Sequence, residues 1–153
     1  MLKNAPFEEL PQQYMPIPHL GHRPPRLSFG FAIPDEYEAF VQVAVREKLG
    51  RRKALMALGS FCEVGELVID HLNKLCGLPP GKGLAYDGIH MNGICLVLEL
   101  ETNYKERVPK CRTADVCKVI KERFRLPDDA KPKWYLEDDI DLRDPDEFLY
   151  PGE

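Results

Sequence analysis

The sequence predicts an α+β domain preceded by an extended N-terminal arm. Three observations lead there. Apolar residues alternate with small ones over Leu27–Ile33, and Ile94, Leu96, Leu98 and Leu100 recur at every second position, the two-residue period of strands with one apolar face. Apolar residues recur at three and four over 37–45, 55–76 and 116–124, the period of amphipathic helices. Six of the 14 prolines fall within the first 25 residues, where they hold the chain extended. The 153 residues are 44% hydrophobic and 30% charged, enough apolar material for a core and a length suited to one domain with an arm.

Residues 1–26 form the proline-rich arm, which carries Leu2, Phe7, Leu10, Tyr14, Met15, Ile17 and Leu20. Those side chains need a surface to cover, on this domain or on a partner. Residues 27–153 are expected to be a single α+β domain. In its first part, 27–80, the strand Leu27–Ile33 leads to Pro34, which opens a helix with Asp35 and Glu36 in the first turn, where acids suit the positive end of the helix dipole. Tyr37, Phe40, Val41, Ala44 and Val45 make its stripe, and Gly50 supplies a stop. A second helical region follows over 51–76, with Leu55, Leu58, Cys62, Leu67, Ile69, Leu72 and Cys76 on its apolar face. Gly59 and Gly65 either interrupt it or permit close packing, and Gly77, Pro79 and Pro80 end it. The short connection makes the two helices a hairpin.

The second part covers 89–148. Ile94, Leu96, Leu98 and Leu100 share one face of a strand, with Cys95, Val97, Glu99 and Glu101 on a half-wet face. Thr102, Asn103 and Tyr104 form a turn, and Lys105–Arg112 returns as a strand with Pro109 at an edge or bulge. Thr113 is the expected N-cap of a helix bearing Val116, Cys117, Ile120 and Phe124. Leu126-Pro127-Asp128-Asp129 ends it, and Trp134-Tyr135-Leu136 is the next strand.

Charge divides the functional possibilities. The net charge is -4, which disfavours a generally basic nucleic-acid binder. That total hides a basic block at 104–133, with 10 basic and five acidic groups, followed by 134–153 with Arg143 against eight acids. The apolar runs are too short to cross a membrane, and the arm lacks the apolar stretch of a secretory signal, so an intracellular location, cytoplasmic or nuclear, is expected. Cys62, Cys76, Cys95, Cys111 and Cys117 are an odd set among mostly apolar neighbours. They are expected to be reduced, buried thiols.

No candidate motif carries chemistry clearly. Gly77–Gly83 resembles a phosphate loop in spacing only, since two prolines remove amide donors and Gly83 stands where a hydroxyl residue belongs. His19 and His22 lack the cysteine pair of a zinc site. Cys62 and His71, with Asp70, are too far apart along one helix to form a nucleophilic set. The acids at 137–141 do not follow the order of a calcium loop. No cofactor and no metal are expected.

The stretch Thr113-Ala114-Asp115-Val116-Cys117-Lys118-Val119-Ile120-Lys121-Glu122-Arg123-Phe124-Arg125-Leu126-Pro127-Asp128-Asp129, with a strand before and after it, resembles the ubiquitin-like β-grasp fold over residues 93–148. The resemblance implies a hairpin, a capped helix, an apolar-Pro-Asp turn and a further strand. Within that fold, similarity to Ras-association domains implies a small GTPase-like partner met by Lys105, Arg107, Lys110 and Lys118. The run Tyr135–Leu142 is similar to the acidic motif of PB1-like interaction domains, with Ile140 where glycine is usual. That similarity implies a charge-complementary partner held by Glu137, Asp138, Asp139 and Asp141. The expected function is therefore a protein–protein interaction module, an adaptor or assembly subunit, which is favoured over an enzyme without deciding between them. The alternative is a small enzyme whose cysteine, histidine or carboxylate site assembles in three dimensions. Opposite charges on one chain also allow an oligomer built front to back.

Overall fold

The computed structural model describes residues 6–79, 82–91 and 94–136. After two short 3-10 turns in the arm come β1 (Leu27–Ala32), α1 (Glu36–Arg46), α2 (Arg52–Ala57) and α3 (Phe61–Leu75). They are followed by β2 (Ala85–Met91), β3 (Ile94–Thr102), α4 (Thr113–Arg123) and β4 (Lys133–Leu136). The four strands form one sheet in the order β2-β3-β1-β4, each pair antiparallel. Helices cover one face. The core between the layers contains Phe31, Ile33, Phe40, Val64, Leu72, Leu98 and Ile120. Phe40 is its aromatic centre, with ring contacts of 5.1 Å to both Phe61 and Phe124.

The α+β class is as predicted, and the β-grasp arrangement is not confirmed. The inner neighbour of β3 is β1, from the N-terminal half of the chain, and β4 also pairs with β1. The return strand expected over Lys105–Arg112 shrinks to one bridge, Glu101 to Glu106, and a 3-10 turn at Lys110–Arg112. Only Val108 in that stretch is a strong apolar residue. It is buried and donates its amide to Leu100 O at 2.8 Å before Pro109 ends the pairing. Thr113 begins α4 instead of capping it, and its hydroxyl turns to Pro109 O at 3.5 Å.

β2 was not visible in the sequence, because Ala85-Tyr86-Asp87-Gly88 has no apolar alternation. It forms against β3, and Asn73 of α3 starts it: its side-chain amide accepts from Leu84 N at 2.7 Å and donates to Leu84 O at 3.2 Å. The 51–76 region breaks at Gly59, whose φ is +80°. The break resets the helical phase. Val64, Gly65, Val68, Ile69 and Leu72 turn inward, while Leu58, Cys62 and Leu67 are exposed. Gly65 provides close packing, since a Cβ there would stand 3.1 Å from the Tyr86 ring. On α1, Val43 takes the buried place expected for Val45.

The sheet itself is irregular in one useful way. Its register shifts between Phe29 and Gly30, where β3 carries an extra residue, Leu100. Gly30 permits this close crossing; a Cβ would lie 1.7 Å from Leu98 O. Such a bulge increases local twist. The sheet curls enough that β2 and β4 come within 8 Å although two strands separate them. Its helix-free face is therefore buried too: Ser28 and Val97 are 0% exposed and Glu99 is 1% exposed.

Three helices end alike. After α1 the amides of Lys48 and Leu49 bond back to Val45 O and Ala44 O; after α3 those of Gly77 and Leu78 bond to Lys74 O and Asn73 O. After α4, Arg125 and Leu126 bond to Glu122 O and Lys121 O. Each is a Schellman stop whose first residue is left-handed and whose second is a leucine packed on the core. The α1 stop is thus Lys48 (φ +59°), two residues before the predicted Gly50. Gly77→Ala is expected to lower stability by about 1 kcal/mol and Lys48→Gly to raise it by a similar or smaller amount. Paired urea titrations check this; the same sign for both would refute the shared geometry.

Candidate functional site

The helix-free face holds four charged groups and a hydroxyl. Glu99, in the middle of β3, points away from the helical layer together with Val97. Its carboxylate accepts from Arg26 Nη2 at 3.2 and 3.1 Å, from Arg107 Nε at 2.5 Å and from Ser28 Oγ at 2.8 Å. Arg26 also pairs with Asp87 on β2. Two arginines face two carboxylates, so the group is electrically balanced. Removing a carboxylate from water costs several kcal/mol unless cations and donors surround it, and here three side chains do so. The arrangement fastens the residue before β1, β1, β2, β3 and the turn after β3 to one point. This is structural chemistry, with every oxygen of Glu99 already engaged.

The end of the arm is tied down beside it. Asn103 accepts from Leu27 N at 2.8 Å and donates to both Tyr14 O and Pro25 O at 2.9 Å. The Tyr104 hydroxyl donates to Pro24 O. Farther out, Phe7 exchanges two backbone hydrogen bonds with Trp134, of 2.9 and 2.7 Å, along the open edge of β4. The arm thus covers a strand edge that would otherwise offer itself to other chains. Leu20 (71% exposed) and Met15 (49%) are left uncovered.

The predicted contact residues divide. Lys105, Lys110 and Lys118 are exposed. Lys105 sits on a turn braced by Thr102, whose hydroxyl accepts from Tyr104 N at 3.1 Å and Lys105 N at 2.8 Å. Arg107 is drawn inward onto Glu99, so it is a member of the ion group and not a free surface cation. Glu137, Asp138, Asp139 and Asp141 lie outside the described residues. Arg26, Ser28 and Asp87 were missed by sequence reasoning. The available signal was Glu99 itself, a lone charge deep inside an otherwise apolar run.

A second polar node joins the helices. Glu47, after α1, lies 3.3 Å from His71 Nε2 on α3 and 3.1 Å from Arg123 Nε on α4. The latter approach is close enough for charge attraction but is not aligned as a hydrogen bond. His71 is thereby turned towards Glu47, while Cys62 and Asp70 are exposed. His22 meets Gln13 O at 2.9 Å within the arm. Trp134 is packing material, 5.0 Å from the Phe29 ring. Among the described residues, no group of three or more His, Cys, Asp or Glu side chains is arranged to hold a metal ion. Also among them, no helix is long and apolar enough to cross a membrane.

Two open grooves flank the 126–132 turn. One, of about 350 Å³, has Phe31, Cys117 and Leu126 in its lining and Lys118, Lys121, Glu122 and Asp128 around it. The other, of about 620 Å³, has Tyr135 and Ala32 with Lys131, Lys133, Glu8 and Asp129. Each is rimmed by two lysines and two acids, so neither selects a ligand by charge sign. Compared with protein-family models, curated proteins and solved structures, the chain matches none.

Cys62, Cys76, Cys111 and Cys117 are free, and two of them depart from the expectation of burial: Cys62 and Cys111 are exposed. Burial pushes the Cys117 thiol up to about 11, with Lys121 pulling weakly the other way. Burial also raises that of Cys76. A thiol with a pKa near 11 is only about 0.1% ionised at pH 8, against roughly a quarter for an unperturbed one. Iodoacetamide at pH 8 should label the exposed Cys62 and Cys111 first and Cys117 about 100-fold more slowly. Peptide mapping over time checks this, and early labelling of Cys117 would contradict the packing of α4.

Proposed function

We propose that the chain is a protein–protein interaction module, an adaptor or assembly subunit, that receives an acidic segment of a partner on the lysines after β3 and on α4. The observation that carries this reading is the exposure of Lys105, Lys110 and Lys118 while the neighbouring Arg107 is retained by Glu99. The lysines belong to the 104–133 block, which carries 10 basic and five acidic groups. Such a surface speeds encounter and selects charge-complementary partners. Apolar anchoring falls to the arm, through Leu20 and Met15. The acidic run from Glu137 to Glu147 offers a second electrostatic contact, for a basic patch. A charge-complementary domain is favoured over a GTPase-like one, because strand-edge pairing through Lys105–Arg112 has only one bridge to build on.

Affinity purification with mass spectrometry tests the reading. The Lys105→Glu, Lys110→Glu, Lys118→Glu variant should capture its principal acidic partner about tenfold less well, or worse, at physiological salt. Its melting temperature should fall only slightly, because none of the three lysines is buried and the main loss is the attraction of Lys110 for the half-buried Glu101. Equal capture by both chains would overturn the proposal. Arg107→Glu is unsuitable for this purpose, since it places a second carboxylate against Glu99.

A further inference from the structure

We propose that the groove between α4 and the 126–132 turn receives a large aromatic side chain of the partner's acidic segment, with the acids beside that side chain meeting Lys118. The proposal rests on the reading that these lysines receive acidic segments, and it names the feature by which one such segment is preferred over another.

One contact shapes the groove. Lys121, in the last turn of α4, donates from its ammonium to Asp128 O and so straps the helix to the turn that follows it. From that strap towards the start of α4, the helix contributes Cys117, Lys118 and Ala114 to the lining, and the turn contributes Ala130 and Pro132. Phe31 of β1, a core residue, forms the floor. The lining is thus one aromatic ring, small residues and a thiol. Burial pushes that thiol up to about 11, so it lines the groove as an uncharged, polarisable group. The volume of about 350 Å³ is at the small end of ligand sites, which run from roughly 300 to 1,000 Å³. It suits one large side chain and excludes a folded element. An aromatic side chain is the best chemical match, because ring against ring at Phe31 and sulfur against ring at Cys117 are both favourable contacts.

The charges of the rim balance in sum but are unevenly placed. Glu122 and Asp128 stand at the strapped end with Lys121. Lys118 is three residues earlier, about 4.5 Å along the helix axis, and is exposed. Asp115, on the turn before it, is held by Arg112 through hydrogen bonds of 3.0 and 2.8 Å. Glu122 follows Lys118 by four residues, the weaker order for an ion pair on a helix. Lys118 therefore offers its charge at the open end. It belongs both to the groove and to the proposed lysine surface, so an acid flanking the seated ring finds it there.

Titration of the isotope-labelled full chain with short peptides, followed by amide chemical shifts, tests this. The probe is a capped pentapeptide with phenylalanine between two pairs of aspartates. In one control alanine replaces the phenylalanine, and in the other serines replace the aspartates. Shifts should centre on Cys117, Lys118, Leu126 and Ala130, and each control should bind at least about fivefold more weakly. Ala114→Phe fills the groove from an exposed position and should weaken the probe by a similar factor. Lys118→Glu should do the same and leave the serine control unchanged. Shifts centred elsewhere, an alanine control that binds equally, or Ala114→Phe without effect would overturn the proposal. A serine control that binds equally would assign the groove to uncharged apolar ligands and overturn it as well. Failure of the probe, with partner capture still sensitive to the lysines, removes the groove site alone. A probe seated in the groove, alongside capture indifferent to the lysines, removes the partner reading.

Discussion

A carboxylate enclosed inside a sheet must be matched by cations and donors or the sheet will not close, and Glu99 is that carboxylate. Its partners come from separate parts of the chain: Arg26 from the end of the arm, Ser28 from β1 and Arg107 from beyond the β3 turn, with Asp87 of β2 completing the balance. The curl that encloses it begins where β1 crosses β3 at Gly30, the one place where the two backbones leave no room for a side chain. Bulge, curl and ion group thus depend on one another. The helical layer follows from them, since the same β3 strand presents Leu96, Leu98 and Leu100 to α1, α3 and α4 on its other face.

This arrangement also sorts the surface. Within the cationic stretch the fold holds Arg107 inward on Glu99 and leaves Lys105, Lys110 and Lys118 outside. Lysine suits the outer role, as a hydrated point charge on a flexible stem. Arginine suits the inner one, where several N–H groups must meet fixed oxygens. The arm is organised by the same region: Asn103 and Tyr104 gather its end, and Phe7 closes the far edge of the sheet.

Elements with strong local periodicity were legible beforehand. β1, β3, α4 and β4 lie where alternation or helical spacing put them, and Gly77 ends α3 as a left-handed stop. What escaped was settled by distant contacts. β2 has no pattern of its own and exists because β3 and Asn73 hold it. The α1 stop uses Lys48 where a glycine would be the usual choice, because Leu49 finds the core from there. The expected return strand gave way because Lys105–Arg112 has a single strong apolar anchor. The ion group was hidden for the same reason as the sheet order: Arg26 and Glu99 are 73 positions apart, and no local pattern announces their meeting.

Equilibrium unfolding of Glu99→Ala in urea tests the central claim most directly. The variant leaves Arg26 and Arg107 without their common partner, and the account expects a loss of about 3–5 kcal/mol, the cost of breaking a buried ion group. A loss below about 0.5 kcal/mol, the scale of an exposed surface pair, would contradict it.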